Sequence, residues 1–116
     1  MKIKVVFHVN RDDEEALLIA LNNMENLLKD VSAADAAVNL VANGVAVRLF
    51  QRRRAAQYAS RIEGLSSASV HFSVCNNSLN RLGIKSEDLL ESCQVVPAGI
   101  IEIIRLQAEG CAYVKP

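Results

Sequence analysis

Short apolar runs rich in β-branched residues recur along this chain, separated by segments with helical apolar spacing, and that alternation constrains the fold most. Ile3 to Val9 is the first run and Val38 to Ala42 the second, stopped by Asn43-Gly44. Val70 to Cys75, Val95-Val96 and Ala112-Tyr113-Val114 follow. Runs this short that lack polar alternation read as strands buried on both faces. Between them, Leu17, Leu18, Leu21, Met24, Leu27 and Leu28 predict a helix to about Lys29. Asp12 is its expected N-cap, with Glu15 completing a capping box. Arg52 to Gly64 predicts a second helix closed by its glycine, and Asn77 to Leu82 a short third one before Gly83. Ser86 to Leu90 starts a helical turn. Pro97-Ala98-Gly99 opens a last helix carrying Ile100, Ile101, Ile103, Ile104 and Leu106 toward Gly110. Val45 to Phe50 stays open between an irregular loop and a short extension. Strands alternating with helices imply βαβ units. The expected fold is therefore one three-layer α/β domain over residues 1–116, a largely parallel five-stranded sheet with helices on both faces.

Composition narrows the function. With 116 residues and 51% of them apolar, the chain can bury a real core. Thirteen basic and thirteen acidic side chains leave no net charge, which argues against non-specific nucleic-acid binding. Zero net charge also suits a chain that buries further surface in an oligomer. Three cysteines spaced 18 and 18 residues apart fit neither a disulfide framework nor a zinc site. No metal or cofactor is expected, since the glycine-rich fingerprints of nucleotide sites are absent. The G-x-S-x-G elbow of a serine hydrolase is absent too. No apolar stretch reaches the roughly 18 residues of a membrane span. The apolar start is too short for a signal peptide, so a reducing cytoplasm is the expected compartment.

Ligands of open parallel sheets bind outside the carboxyl ends of the strands. Those ends carry His8 and Asn10, then Asn43-Gly44, then Cys75-Asn76-Asn77, then Pro97-Ala98-Gly99. Cys75 stands where an apolar run breaks into a helix start. Unpaired N–H groups and the positive end of a helix dipole favour thiolate there, and thiolate is the reactive form. The competing reading is a small buried hydrophobe. His8 is the histidine expected to face Cys75, to hold the thiolate or move a proton, unless a strand-edge carbonyl satisfies it. His71 lies four residues back from Cys75, about 13 Å at the usual strand rise, and reads as structural or as a subunit contact. Gly44 supplies tolerance of positive φ, for a ligand or a plain turn. Asn76 and Asn77 are candidates to bind an anion or a persulfide, with one of them expected to cap the following helix. Arg48, Arg52, Arg53, Arg54 and Arg61 read as a solvated helix face or as a reader of an acidic partner or anion. Asp12 to Glu15 offset a helix dipole. Cys93 and Cys111 read as apolar fillers.

The strand-end pieces Val5-Val6-Phe7-His8, Val41-Ala42-Asn43-Gly44 and Val74-Cys75-Asn76-Asn77-Ser78-Leu79 occur in the order found in one known family. Val95-Val96-Pro97-Ala98-Gly99 and Gly110-Cys111-Ala112-Tyr113-Val114-Lys115-Pro116 complete the pattern. On these residues the chain resembles the DsrE/DsrF-like (YchN-like) family, over nearly its whole length. The resemblance implies flavodoxin-like layering and homo-oligomers, trimers or hexamers, with the cysteine near a pocket at a subunit boundary. It also implies sulfur relay, with a persulfide carried on Cys75 between donor and acceptor proteins. The chain departs from the best-known relay members in having no second cysteine close by. The expected site is thus Cys75 and His8 as reacting groups, with Asn43, Gly44, Asn76, Asn77 and Gly99 binding the ligand. The alternative is a non-catalytic oligomeric module with a small-anion or metabolite pocket at the same strand ends.

Overall fold

Parallel neighbours cannot be joined by tight hairpins, so each strand here is followed by a crossover that must cover one face of the sheet. The protein, described over residues 2–116 by a computed structural model, follows this rule throughout. The order is β1 (Ile3–Val9), α1 (Glu14–Asp30), β2 (Ala36–Ala42), a 3-10 segment (Gly44–Phe50) and α2 (Ala59–Ser67). Then come β3 (His71–Cys75), α3 (Asn76–Leu82), β4 (Cys93–Val96), α4 (Gly99–Ala108) and β5 (Ala112–Val114). The sheet has five strands with all pairings parallel, as the sequence led us to expect, and their order, which the sequence left open, is β4-β3-β2-β1-β5.

Alternation along the strands divides the core. Val5, Phe7, Val38, Leu40, Phe72 and Val74 face one side and pack against Leu17, Leu21 and Met24 of α1, Ile62 of α2 and Leu79 of α3. Val6 and Val41 face the other side, where Ile103 and Leu106 of α4 and Cys111 complete a smaller cluster. The steps from β1 to β4 all move the same way across the sheet, so right-handed crossovers put their helices on one face. The return from β4 to β5 reverses direction and puts α4 alone on the opposite face. The chain thus leaves β3 toward one face and leaves its neighbour β4 toward the other. Loops part at such a switch point, and the crevice lies outside the carboxyl ends of those two strands.

Several sequence expectations are corrected at element ends. Asp13, not Asp12, caps α1, its carboxylate accepting from the Ala16 N–H at 3.3 Å. Asp12 is drawn off to Arg54 at 2.7 Å, and the third helical position is Ala16, so no capping box forms. Residues 52–58 form turns, and α2 begins only at Ala59. The reason is Tyr58, which buries its ring and donates its hydroxyl to the Leu49 carbonyl, fixing the chain before a helix can start. Gly64 lies inside α2 rather than closing it, because Leu65 beyond it is buried in the core. Ser69 takes the left-handed position after the helix at φ 74°. The open segment Val45 to Phe50 is 3-10 helix, burying Ala46, Val47, Leu49 and Phe50.

Candidate functional site

Cys75 ends β3 and is the N-cap residue of α3, so its sulfur sits in the β3/β4 crevice before the first turn of a helix. The residue is 5% exposed. α4 starts in the same crevice from the opposite face. Its N-cap is Ala98, which has no side chain able to accept from the first-turn N–H groups. The first helical residue is Gly99, and the missing Cβ lets the backbone come close. A Cβ built there would lie 3.0 Å from the Asn43 Cβ and 3.2 Å from the Cys75 Cβ. Two helix N-termini, reaching in from the two faces of the sheet, therefore converge on one thiol.

The polar surroundings of the sulfur oppose its burial. Burial alone pushes the Cys75 thiol up, but the Ser78 hydroxyl and the Gly99, Ser78 and Asn77 N–H groups favour the thiolate and leave it below its ordinary value. The α3 N–H groups act as oriented dipoles rather than as a formal cap, since no cap hydrogen bond to the side chain forms. Ser78 is itself held in place: it is buried, and its oxygen accepts from the Gly44 N–H at 2.8 Å. That leaves the Ser78 hydroxyl proton free to point at sulfur. Gly44 adopts φ 60°, and a Cβ there would meet the Asn10 carbonyl oxygen at 3.1 Å, so glycine is required for this hydrogen bond to form.

The other cysteines receive no such treatment. Burial pushes the Cys93 thiol up to about 12, and burial followed by the Glu109 carboxylate raises Cys111. Both sit at the amino-terminal end of the sheet, away from Cys75, and pack against apolar clusters as fillers do.

The structure brings together Cys75, Asn43, Gly99 and, through Ser78, Gly44. His8 enters one strand further on. Its Nδ1 meets the Tyr113 hydroxyl at 2.6 Å and its Nε2 meets Asn43 Oδ1 at 2.8 Å. Both ring nitrogens are thus engaged by partners other than Cys75. Tyr113, His8, Asn43 and Cys75 form a row across the carboxyl ends of β5, β1, β2 and β3. Asn76 and Asn77 occupy the first turn of α3, and neither caps it as one was expected to: Cys75 holds that position. Sequence reasoning missed Ser78, although its place one helical turn after Cys75 was a usable signal, and it left Tyr113 unassigned. A small cavity of about 40 Å³ adjoins His8 and Asn10. A cavity of about 570 Å³ lies elsewhere, and Cys75 does not line it. His71 is exposed at the opposite end of β3. Among the described residues no group of three or more His, Cys, Asp or Glu could hold a metal ion, and no helix is long and apolar enough to cross a membrane.

Fold and site define a small parallel α/β domain that presents one tuned thiol at its topological switch point. The DsrE/DsrF-like family model matches residues 1–116, and the chain belongs to that family. Its structure is similar to that of MTH1491, a protein of unknown function from Methanobacterium thermoautotrophicum, with a TM-score of 0.89 and 34% identity, covering 99% of this chain and 100% of that one. BT1422, a conserved protein of unknown function from Bacteroides thetaiotaomicron, shares the fold at a TM-score of 0.68 and 14% identity, covering 97% of this chain and 94% of that one. No curated protein matches the chain.

Proposed function

We propose that this protein is a sulfur carrier that holds a persulfide on Cys75 and passes it to a partner thiol. The observation that carries this reading is the convergence of the Gly99 N–H, the α3 N-terminus and the Ser78 hydroxyl on a single thiol, lowering it below its ordinary value. Family membership is consistent with a sulfur-relay role. In the loading step the Cys75 thiolate attacks the outer sulfur of a donor persulfide. A new S–S bond forms, the donor S–S bond breaks, and the donor leaves as thiolate. In the unloading step an acceptor thiolate attacks the outer sulfur on Cys75, which departs as thiolate again. Neither step changes the overall oxidation state of the pair.

The same N–H and hydroxyl donors that favour the Cys75 thiolate favour it as a leaving group. The Asn43 and Cys75 Cβ atoms both flank Gly99, and with its oxygen tied to His8 Asn43 has its amide N–H groups left to donate to an outer sulfur on Cys75. His8 and Tyr113 then act as positioning residues for Asn43. The free cysteines fit a reducing, cytoplasmic setting. Because the cysteines lie apart, Cys75 exchanges with another molecule rather than with a resolving thiol of its own chain.

Intact-protein mass spectrometry after brief exposure to a persulfide donor tests the proposal. Wild type gains one sulfur, about 32 mass units, and Cys75→Ser gains none. The 5% exposure of Cys75 favours a second reading, a binding module in which the thiol is packed and inert. Failure of the native protein to take up sulfur, with labelling of Cys75 only after unfolding, establishes that reading instead.

A further inference from the structure

A cavity of about 570 Å³ lies on the α1–α3 side of the fold and is lined in part by Arg48, Arg52 and Arg53. The five arginines clustered in the sequence separate here into two groups. Arg54 pairs with Asp12 and Arg61 with Glu25, both at 2.7 Å. Arg48, Arg52 and Arg53 form no ion pair among the described residues, and all three are exposed. They lie on a 3-10 segment and a turn, not on the helix face expected from the sequence.

The backbone at Arg52 is fixed. Arg52 N–H donates to the Asp88 carbonyl and its Nε to the Leu89 carbonyl, each at 2.9 Å, while Leu90 N–H donates back to Phe50. The terminal nitrogens of Arg52 remain open. A set of unpaired guanidinium forks, one of them held in place at Arg52, is suited to receive a carboxylate or phosphate.

Two features select the occupant. The cleft is walled by long exposed side chains rather than the enclosing apolar surface of small-molecule sites. Glu87 and Asp88 line it too, which disfavours a dense polyanion but suits a peptide with spaced carboxylates. Its position supplies the rest. The 3-10 segment leads from Asn43-Gly44 to Arg48, and α3 leads from Cys75 to Gly83 on the cleft wall. Seven helical residues span about 10 Å. We propose that this cleft docks an acidic segment of the protein that exchanges sulfur with Cys75, which rests on the carrier reading above. With no net charge on the chain, such a local patch is what steers and orients a partner.

The test is fluorescence anisotropy with a labelled glutamate-rich octapeptide, a lysine-rich counterpart and inorganic phosphate as competitor. The acidic peptide binds wild type and Cys75→Ser alike, more weakly as salt rises. Arg48→Glu/Arg53→Glu loses roughly tenfold in affinity or more, while Lys29→Glu/Lys115→Glu, the same charge change outside the cleft, binds as wild type. Equal binding by the cleft variant, equal binding of the lysine peptide, or displacement of the peptide by phosphate at matched concentration overturns the proposal; the last makes the cleft a small-anion site. Loading of Cys75 by a small persulfide donor is unchanged in the cleft variant. Absence of loading in wild type counts against the carrier reading alone, so the two claims fail separately.

Discussion

A single hydroxyl and a single missing methyl set the character of Cys75. Ser78 connects the Gly44 N–H to the sulfur, so Ser78→Ala removes a donor to the thiolate and leaves the Gly44 N–H without its acceptor. Thiolate is the nucleophile, and a lowered thiol pKa means that alkylation by iodoacetamide reaches half its maximal rate at a lower pH than for a free cysteine. Ser78→Ala moves that midpoint upward and slows alkylation several-fold at neutral pH. A pH profile that does not move excludes Ser78 from tuning the sulfur. Gly99→Ala forces a Cβ to within 3.0 Å of Asn43 and 3.2 Å of Cys75, both backbone-anchored, so the start of α4 must shift. The variant is expected to lose about 1–3 kcal/mol by denaturant titration, as overpacked sites do. It also loses thiol reactivity, since the Gly99 N–H is carried away from sulfur.

Helix ends show where neighbours override local signals. Asp12 and Asp13 are equivalent caps by type; Arg54 claims one of them, which leaves the other to α1. α2 carries its glycine in mid-helix, where a Cβ built at Gly64 meets nothing within 4 Å. Gly64→Ala is therefore expected to stabilise the protein by about 0.5–1 kcal/mol, raising the melting temperature without altering Cys75 reactivity. A fall in melting temperature would show that Gly64 serves packing that the open space there gives no sign of. α1 and α2 are clipped together by Arg61, which donates to both Glu25 oxygens and to Asn22 Oδ1. Half-exposed pairs of this kind contribute about 1 kcal/mol or less, so the shared apolar face remains the main tie.

The two faces of the sheet are unequally covered. α1, α2 and α3 close one, whereas α4 alone lies on the other and turns Ile100, Ile101 and Ile104 outward at 56%, 62% and 56% exposure. A second copy of the chain is the expected cover, in keeping with the oligomers that the family resemblance implies. Light scattering coupled to size exclusion should give a multiple of the 12.7 kDa chain mass for wild type. Ile101→Glu/Ile104→Glu should return it to the monomer, since charges at both positions oppose burial of the face. A wild type that elutes as a monomer would leave these isoleucines without a partner.

Much was legible from the chain alone, for definite reasons. Short unalternating runs against apolar spacing near 3.6 separated strands from helices, and β-branched runs flanked by turn residues marked the parallel sheet. The strand carboxyl ends followed from that, and with them Cys75, Asn43, Gly44 and Gly99, because those positions depend only on where runs stop. What tertiary structure decided was which groups meet across strands. Nothing in the spacing tells that β5 lies beside β1, so the capture of His8 by Tyr113 and Asn43 was invisible, and His8 was expected to face the thiol instead. Nor does spacing tell that α4 enters from the opposite face to bring the Gly99 N–H to sulfur. The sequence determined a thiol at a strand end; the reversal of direction between β4 and β5, which right-handed crossovers turn into a change of face, placed two helix N-termini around it.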